Sequence, residues 1–379
     1  MKRIYLDHAA TSPMHPEVAE KMLVLMKESF GNPSSIHSFG RDARRILDES
    51  RRSLAKSIGA KPSELIFTSG GTEADNLAVI GTAFANKTLG NHIITTEIEH
   101  HAVLHACKFL EKNGFNVTYL PVDKSGYISV EQVKSNLTDQ TILVSVMYGN
   151  NEVGTIQPIK EIGEVLKDHQ AYFHTDAVQA YGIERLHVGE LGVDLLTASS
   201  HKINGPKGVG FLYVRSGISL QPSLYGGEQE LKRRAGTENV PGIYGFSLAA
   251  SLSIKEPSQK QEFYQQCKDI MISVFKEQHL DYDVNSPSQG LAHVLNVYFP
   301  NTHIESLLVN LDISGIAASS GSACTAGSVD PSHVLVSMFG KDSDRLTSSV
   351  RFSFGYGTTL EDVRYAANEI SKIVKRVTA

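Results

Sequence analysis

Between about residues 60 and 215 short apolar runs alternate with longer stretches whose apolar residues recur at helical spacing. ELIFTS (64–69), HIITT (92–96), FNVTYLPV, TILVSVMYG, AYFHTDAVQA, VDLLTAS and GVGFLYV read as strands. Between them TEADNLAVIGTAFAN, HAVLHACKFLEKNG and IKEIGEVLKDHQ read as helices, the second stopping at Gly114. This alternation predicts an α/β fold with a largely parallel sheet covered on both faces. In such sheets ligands bind at the loops beyond the carboxyl ends of the strands.

The pattern changes near 250–260, where SIKEPSQKQEFYQQCKD is polar and contains a proline. A long helical pattern follows, then the strand-like HVLNVYF and a C-terminal helix, EDVRYAANEISKIVKRV. The expected organisation is a large domain over 14–254 and a smaller α+β domain over 255–379, with residues 1–13 packed onto the smaller one. No internal repeat or low-complexity tail interrupts it.

The bulk numbers narrow the function classes. A chain of 379 residues with 41% hydrophobic and 20% charged content is an ordinary globular one. Its formal charge of −5 offers no general nucleic-acid surface. No apolar stretch approaches membrane-spanning length, and MKRIYLDHAATS has no apolar signal core. Three cysteines, Cys107, Cys267 and Cys324, cannot all pair within one chain. That count points to a reducing cytoplasm and leaves room for one reactive thiol.

Several loops carry residues suited to chemistry. TASSHKINGPKGVG (197–210) delivers Lys202 from a core strand into a loop of small residues. A buried lysine needs a partner or a task. FTSGGTEADN (67–76) leads from a strand through a glycine pair into a helix. It suits a phosphate, or else a turn capped by Thr72 with Asp75 as its acid. FHTDAVQA puts Asp176 at a strand end with Gln179 three residues on. The acid can pair with a protonated ring nitrogen or cap a helix. His100, His101 and His105 lack the second ligand cluster of a metal site, and one of them suits a flat wall against an aromatic cofactor. Asn150 and Asn151 either build a turn or bind a carboxylate. Arg351 lies in an alternating strand pattern, as a solvated side chain or a carboxylate clamp. Cys324 sits among small residues in SSGSACTAGS, whereas Cys107 and Cys267 lie in helical patterns and read as structural. A lysine able to condense with an aldehyde, combined with an acid for a pyridinium nitrogen, is the logic of a pyridoxal phosphate site.

The ordered motifs YLDHAATSP, GNPSSIHSFGR, FTSGGTEADN, EHHAVL, NNEVGTIQP, HTDAVQA, SSHKINGPKG, RAGTENVPG, SSGSACTAGS and VRFSFG span nearly the whole chain. In them the sequence resembles the class V, fold-type I pyridoxal phosphate enzymes, and within these the cysteine desulfurases of the NifS/IscS type. The resemblance implies a mainly parallel seven-stranded sheet and a homodimer. It implies that Lys202 bonds the cofactor aldehyde, Asp176 keeps the ring nitrogen protonated and Gln179 bonds the ring hydroxyl. His100 is then the stacking imidazole, which can also act as acid or base. Gly71, Thr72, Ser199 and His201 form the phosphate cup, joined by Thr237 from the neighbouring subunit. Asn151 and Arg351 take the substrate carboxylate. Cys324, on a loop of about 319–332, is the implied nucleophile that takes sulfur from L-cysteine as a persulfide and leaves L-alanine. The implied acceptor is an iron–sulfur scaffold or a tRNA-thiolating enzyme. LDHAATSP and GNPSSIHSFGR resemble Gram-positive desulfurases, for which a tRNA thiolase is the expected partner. No metal, no direct nucleic-acid contact and no membrane association are expected.

Overall fold

A computed structural model describes residues 2–320 and 331–378, so Cys324 lies outside the described residues. Seven strands form the main sheet: β2 (Leu65–Thr68), β3 (His92–Thr96), β4 (Asn116–Leu120), β5 (Thr141–Ser145), β6 (Tyr172–Asp176), β7 (Leu195–Ser199) and β8 (Gly210–Val214). Their order is β2-β8-β7-β6-β5-β3-β4. Only β8 runs against its neighbours; the other pairings are parallel.

Alternation along the strands feeds two cores. Phe67, Ile94, Val144, Leu196 and Phe211 belong to one apolar cluster, and Ile66, Ile93, Leu143, Leu195 and Leu212 to the other. Neighbouring residues of a strand point to opposite faces, so both faces are apolar and both are covered. The helical pattern after β2 forms one continuous rod. Gly71–Asn76 is α-helical, Leu77–Gly81 is a π segment, and Thr82–Ala85 is α-helical again. The extra residue per turn in such a segment shifts the helix register, which periodicity alone does not reveal. Helix His101–Lys112 ends just before Gly114, whose φ is +86°.

Beyond the main sheet, β10 (Val294–Tyr298) lies between β9 (Asp283–Val284) and β12 (Ser349–Ser353), antiparallel to both. Helices Pro257–Glu277 and Leu360–Thr378 pack with it around Val297, Phe299, Phe352 and Phe275. Ile4 and Leu6 join this second core, because β1 (Ile4–Tyr5) pairs in parallel with β11 (Ile316–Ala317). The polar stretch around 257–267 is not an extended connector. Pro257 opens the long helix, where a missing N–H costs nothing, and the polar residues are its solvent-facing first turns.

Candidate active site

The carboxyl ends of β2, β3, β5, β6 and β7 face one cavity of about 350 Å³. Lys202 enters it from a 3₁₀ turn, Ser200–Lys202, directly after β7. Its ammonium donates to the carbonyls of Ala9 and, at 2.8 Å, of Ala10. The N-terminal segment is tied to this turn. The Ser12 hydroxyl donates to the His201 carbonyl at 2.6 Å and accepts from the Asn204 N–H at 2.9 Å, and Thr11 Oγ1 lies 3.1 Å from His201 Nδ1. Burial, then the Arg351 charge, pushes the Lys202 pKa down to about 8, against the pull of Asp176 and Asp7. The amine is therefore partly neutral near neutral pH, as a nucleophilic lysine requires.

Asp176 ends β6, buried, and accepts from the Val178 N–H at 2.9 Å. Burial raises its pKa to about 6, while that N–H and Lys202 pull it back. Behind it lies a second buried acid, Asp75, whose Oδ1 has no hydrogen-bond partner. Burial and the Asp176 charge hold Asp75 well above the usual carboxylate range. One ligand atom from each of Asp75, Asp176 and His100 lies within 4.8 Å of the others. His100 caps helix His101–Lys112 by accepting the Ala102 N–H on Nδ1 at 3.2 Å. Its ring is exposed towards the cavity, yet surrounding protein and the Lys202 charge push its pKa down to about 4. It presents a neutral, flat imidazole.

At the glycine turn the capping alternative fails. Gly70 occupies the N-cap position without a side-chain cap, and Thr72 lines the cavity instead. The acid that serves the turn is Glu73, not Asp75. It accepts from the Ser69 N–H at 2.8 Å and from Arg234 Nε at 2.8 Å. A Cβ on Gly71 would come within 3.0 Å of Val178 Cγ2 and 3.8 Å of Ser199 Cβ, so the backbone there approaches the cavity wall closely. Ser199 and His201 line the same wall.

The two adjacent amides have different settings. Asn150 is fully buried, accepts from the N–H groups of Glu152 and Val153, and donates to the Ile98 carbonyl. It builds the turn, and Asn151 lines the cavity. Arg351, on β12, is not a solvated side chain: it is 3% exposed. It donates to Asp7 Oδ1 at 2.7 Å and to the Asn151 carbonyl at 3.0 Å, and its buried Nε has no partner. Thr237 is exposed and does not line this cavity in its own chain. Cys107 and Cys267 are buried free thiols, and burial raises the pKa of both.

Sequence reasoning missed Asp7, Glu152 and His333. Glu152 lines the cavity, and its carboxylate accepts from the Ser332 hydroxyl at 2.5 Å. The His333 ring lies 4.7 Å from that of His101. Adjacency to the asparagine pair is a usable signal for Glu152. Nothing local marks His333.

Pyridoxal phosphate fits these residues. A buried carboxylate pair with an unpartnered oxygen suits a protonated ring nitrogen, and a lysine with a lowered pKa suits an aldehyde. The Gly71 approach leaves room for a phosphate beside a helix start.

Comparison with known proteins agrees with this geometry. The aminotransferase class-V family model matches residues 4–365. A Bacillus subtilis strain 168 protein, provisionally named cysteine desulfurase IscS 1, is 60% identical over 379 residues, covering 100% of both chains. Cysteine desulfurase IscS of Dictyoglomus turgidum is 48% identical over 379 residues, covering 100% of this chain and 96% of that one. A solved NifS-like protein superposes with a TM-score of 0.92 at 34% identity, covering 99% of this chain and 100% of its own. This chain belongs to the class-V aminotransferases, pyridoxal phosphate enzymes of fold-type I, within the group of NifS/IscS-type cysteine desulfurases.

Proposed function

We propose that the protein is a pyridoxal phosphate-dependent cysteine desulfurase that converts L-cysteine to L-alanine and keeps the sulfur as a persulfide on Cys324. One observation carries the reading: Lys202, Asp176, His100 and Arg351 share a single cavity at the strand ends.

Pyridoxal phosphate, when bound, supplies an aldehyde for the substrate amine and a ring that withdraws electrons from the carbons next to it. Asp176 would hold a proton on the ring nitrogen, and His100 would cover a ring face. Gly71, Thr72, Ser199 and His201 hold the phosphate, and Thr237 of the partner subunit completes that cup. Gln179 serves the ring hydroxyl. Arg351, fixed by Asp7, and the Asn151 amide bind the substrate carboxylate. Lys202 would hold the aldehyde and, as a free amine beside the substrate, would move the proton from the substrate Cα. The Cys324 thiolate attacks the substrate sulfur. The Cβ–S bond breaks, its electron pair stays with carbon, and protonation there gives alanine.

A homodimer is supported by several large exposed apolar side chains. Phe30 is 75% and Ile36 91% exposed, with Tyr225 and Leu231 also exposed. Arg51 of helix Ser38–Ser57 pairs with Glu230, which fixes the segment carrying Leu231 to that helix. The proposed domains are 14–254 and, with 1–13, 255–379. The acceptors are those of tRNA thiolation, iron–sulfur cluster assembly or both, and the proposed compartment is the cytoplasm. Among the described residues no helix is long and apolar enough to cross a membrane.

The test is alanine release from L-cysteine with a thiol reductant, for wild type beside Cys324→Ala. Wild type is expected to release alanine, and the variant to lose that release while keeping its bound cofactor. Full turnover by the variant refutes the role of the thiol.

A further inference from the structure

Gln179 and His293 form a buried pair that links the main sheet to the second core. Gln179 follows β6 by three residues, and His293 directly precedes β10. Both are buried. A glutamine amide can sit in two orientations, and here its neighbours choose between them. The Ala9 carbonyl, which can only accept, lies 2.9 Å from Gln179 Nε2. Oε1, also only an acceptor, lies 3.3 Å from His293 Nε2. His293 must therefore carry its ring proton on Nε2. Its Nδ1 is buried without a protein partner. Burial, reinforced by the charges of Lys268, His8, Lys202 and Arg351 around the ring, pushes its pKa down to about 3. The ring keeps one proton and one tautomer across the working pH range.

We infer that His293 is a positioning residue: by donating from Nε2 to Gln179 Oε1 it keeps the Gln179 amino group turned so that its second N–H is offered to an anionic oxygen on the cofactor ring. This rests on the reading of the cavity as a pyridoxal phosphate site. Without the imidazole donor Oε1 is left buried without that partner, and the Ala9 carbonyl alone opposes a flip of the amide. The flipped form turns Oε1 towards the Ala9 carbonyl and the ring oxygen, which replaces donor contacts with acceptor–acceptor repulsion.

The experiment titrates the visible absorbance band of the purified holoprotein against pH. Losing the donor makes the ring oxygen hold more tightly the proton it shares with the lysine nitrogen, so the band's midpoint rises. Gln179→Leu is expected to raise it by about one pH unit. His293→Leu is expected to raise it in the same direction and to speed cofactor dissociation by about tenfold. His293→Gln, whose amide N–H replaces the imidazole donor, restores most of both. The double leucine variant shifts no further than Gln179→Leu alone, since the two side chains act as one unit. If His293→Leu does not fold, His293→Phe keeps the ring volume and is read the same way. A wild-type midpoint in the His293 variant beside a shifted Gln179 variant overturns the inference and leaves the cofactor reading intact. A wild-type protein that takes up no pyridoxal phosphate overturns both.

Discussion

The depressed Lys202 pKa has a direct kinetic consequence. Only the neutral amine attacks an aldehyde, so cofactor uptake by the ligand-free protein follows the deprotonated fraction of Lys202. A pKa of about 8 leaves roughly a quarter of the amine neutral at pH 7.5, whereas an ordinary lysine leaves about one part in a thousand. The environment thus raises the neutral fraction by about 200-fold at that pH, and uptake by less, because a less basic amine is a weaker nucleophile. The sign is fixed: lowering pH protonates the amine, so the rate falls about tenfold per unit well below pH 8 and levels off above it. Arg351→Gln removes the second-largest cause of the depression and strips Asp7 of its partner. Both changes favour the ammonium, so the midpoint rises and uptake at pH 7.5 slows. Stopped-flow mixing of ligand-free protein with pyridoxal phosphate, followed at the cofactor band from pH 6 to 10.5, measures both effects. A wild-type midpoint near 10.5, or one that Arg351→Gln does not move, refutes the reasoning.

Other substitutions separate structural from functional roles. Asn151→Ala should raise KM for L-cysteine by about tenfold, through loss of a hydrogen bond to a carboxylate, with little change in denaturation midpoint. Asn150→Ala should instead cost about 1–3 kcal/mol of stability in chemical denaturation, because it strands the N–H groups of Glu152 and Val153. Arg51→Met leaves Glu230, whose side chain is 2% exposed, buried without its ion-pair partner, and should cost about 3–5 kcal/mol by the same measurement. Gly210→Ala places a Cβ within 2.7 Å of the Ala198 carbonyl oxygen and 2.8 Å of the Gly70 carbonyl carbon, and should cost about 1–3 kcal/mol.

Sequence pattern located most strands of the main sheet because they are runs buried on both faces; the edge strand β4 is only partly buried. It placed Lys202 and Asp176 well because both follow directly from strand ends, so strand length alone sets their position. It failed where geometry depends on distant partners. Glu73 rather than Asp75 serves the glycine turn because Arg234 sits beside it, 161 residues away in sequence. Neighbouring Asn150 and Asn151 look alike in sequence; the Ile98 carbonyl, with the N–H groups of Glu152 and Val153, fixes which one turns inward. The helix starts at Pro257 rather than after the polar stretch, because a helix that buries a narrow stripe shows weak periodicity in its first turns. The two readings of Arg351 are separated by its burial and by its partner Asp7, 344 residues earlier in sequence.

That last distance bears on the timing of biosynthesis. Asp7 and the carbonyls of Ala9 and Ala10 leave the ribosome first, while Arg351 and the strand partner of Ile4, Ile316, come more than 300 residues later. At typical elongation rates of about 5–20 residues per second, the early segment waits on the order of 15 to 60 seconds for its anchors. A nascent chain stopped before Ile316 holds Lys202 with β1 unfastened, so the carbonyls that station its amine are kept in place only by the contacts of residues 9–12 with Gln179, His201 and Asn204. Arg351, whose charge helps hold the Lys202 pKa down, is also missing from such a chain, so its lysine is less poised to react than in a chain extended through β12.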